Sequence, residues 1–188
     1  MSLPCDAINI MKVRNRPTAA NILLRFFVFF EPFLLMIAVL QRVRHASVTV
    51  GDTRIAGIAR GLLVLLGVAT NDSDQDVAFI VDKIQHLRLF SDVAGKMNYS
   101  LQDIEGEVLV ISQFTLLGNT EKGRRPGFEW AAPPDEAHTR YQQVVNALKS
   151  HHVPVQTGIF GQNMLVSLEN DGPVTILLDS RGKNTVNR

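Results

Sequence analysis

The sequence predicts one α+β domain: a largely antiparallel, barrel-like β-sheet core with two amphipathic helices. Three observations predict it. Three β-patterned runs separated by glycine follow residue 35, and two more close the chain around Asn170-Asp171-Gly172-Pro173. Between them lie two stretches whose apolar residues recur at helical spacing. At 188 residues, 46% hydrophobic and 20% charged, the chain supports one core rather than two.

Residues 1–35 read differently from the rest. Phe26-Phe27-Val28-Phe29-Phe30 and Phe33-Leu34-Leu35 follow Lys12, Arg14, Arg16 and Arg25, which raises a targeting leader. Glu31 and Pro32 interrupt the apolar run, which falls short of the roughly 18–20 residues of a membrane helix. The other reading is that the working chain starts at Met36. On either reading, 1–35 carries no chemistry.

From Ile37 to Val50, branched Val39, Val43, Val48 and Val50 favour a strand, and Gly51-Asp52 turns it into a returning one. Leu62–Val68 is apolar on both faces, the pattern of a central buried strand. Val77, Ile80, Val81, Ile84 and Leu87 mark the first helix, with Asp72 or Ser73 as N-cap. Ser91–Asp103 reads as mostly loop, Glu107–Phe114 as strand, and 118–132 as a long connection of the kind that often carries function. Pro133-Pro134-Asp135 starts the second helix, whose Ala137, Tyr141, Val144, Val145 and Leu148 share a face. Two last strands are expected near Met164–Leu168 and Val174–Leu178, with a polar tail from Arg181. The order is βββ-α-β-α-ββ.

Familiar chemistry is scarce. The single cysteine, Cys5, excludes an intrachain disulfide and any multi-cysteine metal site, and points to a reducing compartment. Of five histidines, His151-His152 sits at a helix end, and His45, His86 and His138 are isolated. Gly57, Gly61 and Gly67 flank strands rather than forming a phosphate loop. Asp103, Glu105 and Glu107 read as a solvated face. The net charge of +1 excludes a uniformly basic nucleic-acid binder but not a local basic patch. Two segments remain: Ser112-Gln113-Phe114-Thr115-Leu116 at a strand end, and Asn170–Thr175, whose Gly-Pro bond can adopt the cis form.

Five segments in order carry a resemblance: Gly61–Val68 (GLLVLLGV), Gly95–Asn98 (GKMN), Ser112–Leu116 (SQFTL), Lys122–Pro126 (KGRRP) and Asn170–Thr175 (NDGPVT). Over residues 36–180 the chain resembles the D-aminoacyl-tRNA deacylase family, and Met36–Val43 looks like that family's usual N-terminus. Tyr99, Gly127 and Leu117-Gly118-Asn119 depart from its pattern.

The resemblance implies hydrolysis of the ester of D-aminoacyl-tRNA, and of glycyl-tRNA, in the cytoplasm, with no cofactor and no metal. It implies a homodimer in which a cis Gly172-Pro173 peptide enters the partner's active site and refuses L-amino acids. The catalytic floor would be Ser112, Gln113, Phe114 and Thr115. Phe160 and Met164 would join Gly172 and Pro173 in binding substrate, and Lys122, Arg124 and Arg125 would meet tRNA phosphates.

An aminoacyl ester is already activated, so positioning and oxyanion stabilisation suffice, and none of Ser112–Thr115 titrates near neutrality. Backbone N–H groups at Phe114 and Thr115 are the candidate oxyanion donors, with the RNA 2′-hydroxyl assisting. Two rivals stay open: Thr115 as covalent nucleophile, and an RNA-binding or dimeric scaffold module without catalysis.

Overall fold

The structure is a computed structural model that describes residues 36–121 and 123–181. The readings placed on 1–35, Lys122 and the end of the tail lie outside the described residues.

Strand β1 (Ile37–Val50) is the spine. Gly51-Asp52 turns it into β2 (Thr53–Ile58), and β3 (Gly61–Gly67) returns antiparallel to its first half, from Ile37 opposite Gly67 to Val43 opposite Gly61. β6 (Glu107–Ser112) then lies parallel to β3, and β7 (Val155–Thr157) parallel to β6. β8 (Leu165–Asp179) pairs antiparallel with the other edge of β1. The sheet order is β2-β1-β3-β6-β7 with β8 on β1, and β2 approaches β6 and β7, rolling the sheet toward a barrel.

Period-2 geometry explains the continuous apolar runs. Leu62, Val64, Leu66, Val108 and Val110 face one cluster, whereas Leu63, Leu109 and Ile111 face a second, with Val43 and Val48. The first cluster is covered by α1 (Asp74–His86) and α2 (Pro134–Ser150), through Val77, Ile80 and Ile84 of the one and Tyr141, Val144 and Leu148 of the other. Each of these aliphatic side chains contributes roughly 1.5–3 kcal/mol by leaving water.

The largely antiparallel pairing expected of the sheet holds around β1, and a parallel part joins it beside β3 and β6, because the two helical crossovers return the chain in the same direction. Three details differ from the sequence reading. β7 went unread, since Val155-Gln156-Thr157 is too short and too polar to show a pattern. The expected loop 91–103 holds a small hairpin, β4 (Phe90–Ser91) with β5 (Met97–Tyr99). Asp92 Oδ1 builds its turn by accepting from the N–H groups of Ala94 and Lys96 at 2.9 and 3.0 Å. Finally, β8 is one strand. Residues 171–174 bulge out opposite Arg42 while Asn170 and Thr175 keep their pairing with Val43 and Gln41.

Ser73 is the N-cap of α1, its N–H donating to Asp76 Oδ2 at 2.8 Å. Asp72 has a different task. It is 3% exposed, and its Oδ2 accepts the Ala69 N–H at 2.8 Å. Burial pushes its carboxyl up from 3.8 to about 7, helped by the charge of Asp76 and opposed by backbone N–H groups of Ala69 and Met36. A carboxyl whose pKa is higher folded than unfolded holds its proton more tightly in the native state. Stability therefore falls as pH rises from about 4 to about 7. The 188-residue chain is expected to melt several degrees higher near pH 5 than near pH 7.5, an effect on the order of 2–4 kcal/mol. Asp72→Asn should flatten that slope in a calorimetric pH series, and an unaltered slope would remove Asp72 as its source.

Candidate active site

The parallel register of β3 and β6 sets the site. Leu66 pairs with Ser112, and the Gln113 N–H donates to the Leu66 carbonyl at 2.7 Å. There the strand stops, earlier than the sequence suggests, and residues Phe114–Leu117 form a 3-10 turn. The turn is drawn in by Leu117, 1% exposed, which packs with Ile37 and Ala69. The N–H groups of Phe114 and Thr115 precede the turn's first hydrogen bond, Leu116 N–H to the Gln113 carbonyl, as donors do at any helical start.

This strand end forms one wall of a cavity of about 740 Å³. Ser112, Gln113 and Phe114 line it, with Phe160 and Met164 beyond, as do Pro133 and Pro134 at the start of α2. Phe114 is 54% exposed, and its ring meets Phe128 edge to face, centroids 4.9 Å apart. Phe160 rests on Tyr141 and His138, centroids 5.9 and 4.7 Å away. Tyr141 in turn donates its hydroxyl to the Val110 carbonyl at 2.9 Å, and burial pushes its pKa up to about 12. Every residue lining the cavity is uncharged and none titrates: the polar groups are Ser112, Gln113, Gln162, Asn163 and backbone.

Thr115 does not line the cavity; its hydroxyl accepts a hydrogen bond from Gln113 Nε2. No histidine, lysine or carboxylate bonds that hydroxyl among the described residues. Arg124 and Arg125 are exposed on the loop 120–126, which is closed by paired backbone bonds between Asn119 and Gly127 at 2.7 and 2.8 Å. Phe128 carries this loop onto the cavity wall. The sequence did not point to Phe128, Gln162 or Asn163, which sit in segments without periodicity. Pro133-Pro134 was legible only as a helix start.

Residues 39–179 match the family model described as D-Tyr-tRNA(Tyr) deacylase. The chain belongs to the D-Tyr-tRNA(Tyr) deacylase family.

The D-aminoacyl-tRNA deacylase of Thermosipho africanus (strain TCF52B) is 53% identical over 146 residues, which cover 78% of this chain and 98% of that one. That of Thermodesulfovibrio yellowstonii (strain ATCC 51303 / DSM 11347 / YP87) is 47% identical over 146 residues, 78% of this chain and 100% of the relative. The solved structure of a c-Myc DNA Unwinding Element Binding Protein superposes with a TM-score of 0.72 at 42% identity, covering 76% of this chain and 97% of that one. This deacylase is therefore an enzyme, a hydrolase of its family.

The deacylase keeps Gly172-Pro173 away from its own cavity lining, at the tip of the β8 bulge, with a cis peptide between them. Two side chains brace the bulge. Asn170 clasps its base, accepting the Val174 N–H at 2.7 Å and donating Nδ2 to the Val174 carbonyl at 3.2 Å. Arg42, 7% exposed, donates Nε to the Asp171 carbonyl at 2.8 Å and Nη1 to the Leu89 carbonyl. Its Nε is also 3.5 Å from Asp171 Oδ2. Asn170 opens the segment that the sequence singled out, though not for this clasp, and Arg42 looks like an ordinary polar position of β1.

Proposed function

We propose that this deacylase adds water across the ester of D-aminoacyl-tRNA, and of glycyl-tRNA mischarged on alanine tRNA, as a homodimer in the cytoplasm. The acyl–oxygen bond breaks, the amino acid leaves as a carboxylate, and the terminal ribose regains its hydroxyl. The carrying observation is a cavity with no titrating side chain, beside a strand end whose N–H groups are free to face a substrate. Such a site suits an activated ester that needs placement and oxyanion stabilisation rather than a strong base. The Phe114 and Thr115 N–H groups take the oxyanion, and Phe114, Phe128 and Phe160 offer apolar faces to the terminal adenosine.

Handedness is assigned to the Gly172-Pro173 turn of the second protomer. Its carbonyls take the α-ammonium, so an L side chain points at the turn and is refused, whereas a D side chain points away. Support comes from the turn's place outside its own cavity and from the apolar side chains that β8 leaves exposed, Leu165 at 68% and Leu177 at 67%. Arg124 and Arg125 meet phosphate on the acceptor stem. Among the described residues no helix is long and apolar enough to cross a membrane.

Incubation with D-Tyr-tRNA, L-Tyr-tRNA and Gly-tRNA tests the reading. The first and third should lose their amino acid and the second keep it; a purely RNA-binding module leaves all three intact. Thr115→Ala separates the remaining mechanisms. With no base beside the hydroxyl, its single-turnover rate should fall by less than about 10-fold, against the roughly 10⁴-fold or greater loss that follows removal of a true nucleophile.

A further inference from the structure

The core beside Met36 holds more acceptor and negative character than it satisfies. Met36 is 0% exposed. Asp72, 3% exposed, faces it: the Met36 N–H acts on the carboxyl group, yet Oδ1 has no hydrogen bond. Ser180, 0% exposed, touches the same residue, donating its N–H to the Met36 carbonyl at 3.1 Å while its Oγ also has no partner. These are the two orphaned buried side-chain oxygens among the described residues, and both adjoin one residue. The neighbouring charges do not help. Asp76 on α1 repels, and Arg140 on α2, the weakest influence on Asp72, is paired with Asp74.

A continuous peptide offers one donor at the Met36 nitrogen. A chain that begins there offers three donors and a positive charge on the same atom. We infer that the functional chain begins at Met36 and that its free α-ammonium is the partner of Asp72 Oδ1, with Ser180 Oγ as a second acceptor. A buried carboxylate beside a buried cation is satisfied, whereas a lone buried acceptor is destabilising. A metal ion fits less well, since hard cations need a fuller ring of oxygens than two side chains supply. Length agrees. Relatives are matched at 98–100% of their length by 146–150 residues, and 153 run from Met36 to Arg188.

The test compares residues 1–188 with residues 36–188, each with Asp72 and with Asp72→Asn. The shorter form contains the whole described core, and a relative of that extent is a complete protein. In the shorter form Asp72→Asn should lower Tm near pH 7 by about 6–15 °C, as loss of one partner of a buried pair does. In the longer form it should leave Tm unchanged or raise it. Acetylating the Met36 nitrogen of the shorter form should reproduce the Asp72→Asn loss with every side chain intact, which keeps the test open if that variant fails to fold. Equal shifts in the two forms, or no effect of acetylation, overturn the inference. So does intact mass of the protein from its own cells showing only a chain of 188 residues. Met36→Leu in the full gene then tells initiation at Met36, which it abolishes, from cleavage before it, which it spares.

Discussion

Arg42→Met is expected to lower kcat/KM for D-Tyr-tRNA about 100-fold, the size of loss that a small misplacement of a positioning element produces. Arg42 is far along the chain from the cavity-lining residues, and its effect comes through the β8 bulge. Its guanidinium ties the Asp171 carbonyl to the Leu89 carbonyl, and so fixes the tip carrying Gly172-Pro173 to the segment that follows α1. Methionine matches much of the stem but leaves both carbonyls without that donor, and leaves the Asp171 carboxylate only Arg44, whose Nε is 3.7 Å from Oδ1. Charged hydrogen bonds are each worth roughly 1.5–3 kcal/mol, so stability should drop by about 3 kcal/mol as well. Arg42→Lys keeps the charge but loses the planar fork, and should recover stability better than rate. The decisive readout is the ratio of D- to L-Tyr-tRNA turnover. If the bulge sorts handedness, that ratio shrinks in Arg42→Met; if Arg42 is merely structural, both rates fall together and the ratio holds. A folded Arg42→Met protein within about threefold of the parent rate would sink the bracing role.

What the sequence disclosed and what it hid follow from the range of the interactions. β1, β3, β6 and both helices were legible because their apolar periodicity is written in consecutive residues: Leu62–Val68 has to be buried on two faces whatever surrounds it. Ser112–Thr115, Phe160 and Met164 were named through resemblance, and five of those six side chains line one cavity, but nothing local shows that strand end breaking into a 3-10 turn. That break depends on Leu117 finding Ile37 and Ala69 across the fold. The same holds for Phe128, which reaches the cavity wall because Asn119 and Gly127 close the loop before it. The parallel direction of β6 and the brace from Arg42 to Asp171 are likewise products of pairings across many residues, and no single-sequence pattern encodes them.

Gly61→Ala is expected to be the most damaging small change in the described fold. Gly61 opens β3 directly beneath the backbone of Glu107, and a Cβ there would lie 1.9 Å from the Glu107 carbonyl oxygen and 2.7 Å from its carbon. That neighbour cannot yield. The Glu107 N–H donates to the Arg60 carbonyl at 3.2 Å, and its carboxylate accepts the Ala59 N–H at 2.6 Å. The pair Gly61 and Glu107 is also the first rung of the parallel ladder whose last rung is Leu66 with Ser112. Parting the first rung shifts the floor of the cavity. A loss of about 4 kcal/mol or more, at the exceptional end for one methyl group, should appear as a Tm lower by roughly 8–16 °C. Two other glycines calibrate the claim. At Gly67 the added carbon meets the Gln113 carbonyl oxygen at 3.1 Å and Leu116 Cβ at 3.2 Å, so Gly67→Ala should cost about 1–3 kcal/mol. That cost falls on the 3-10 turn, where it should raise KM. At Gly57 the obstacle is the mobile guanidinium of Arg54, which can swing away, so Gly57→Ala should stay within about 0.5 kcal/mol of the parent. If Gly61→Ala melted no lower than Gly57→Ala, the close approach of β3 and β6 would not be what holds the strand end at Ser112 in place.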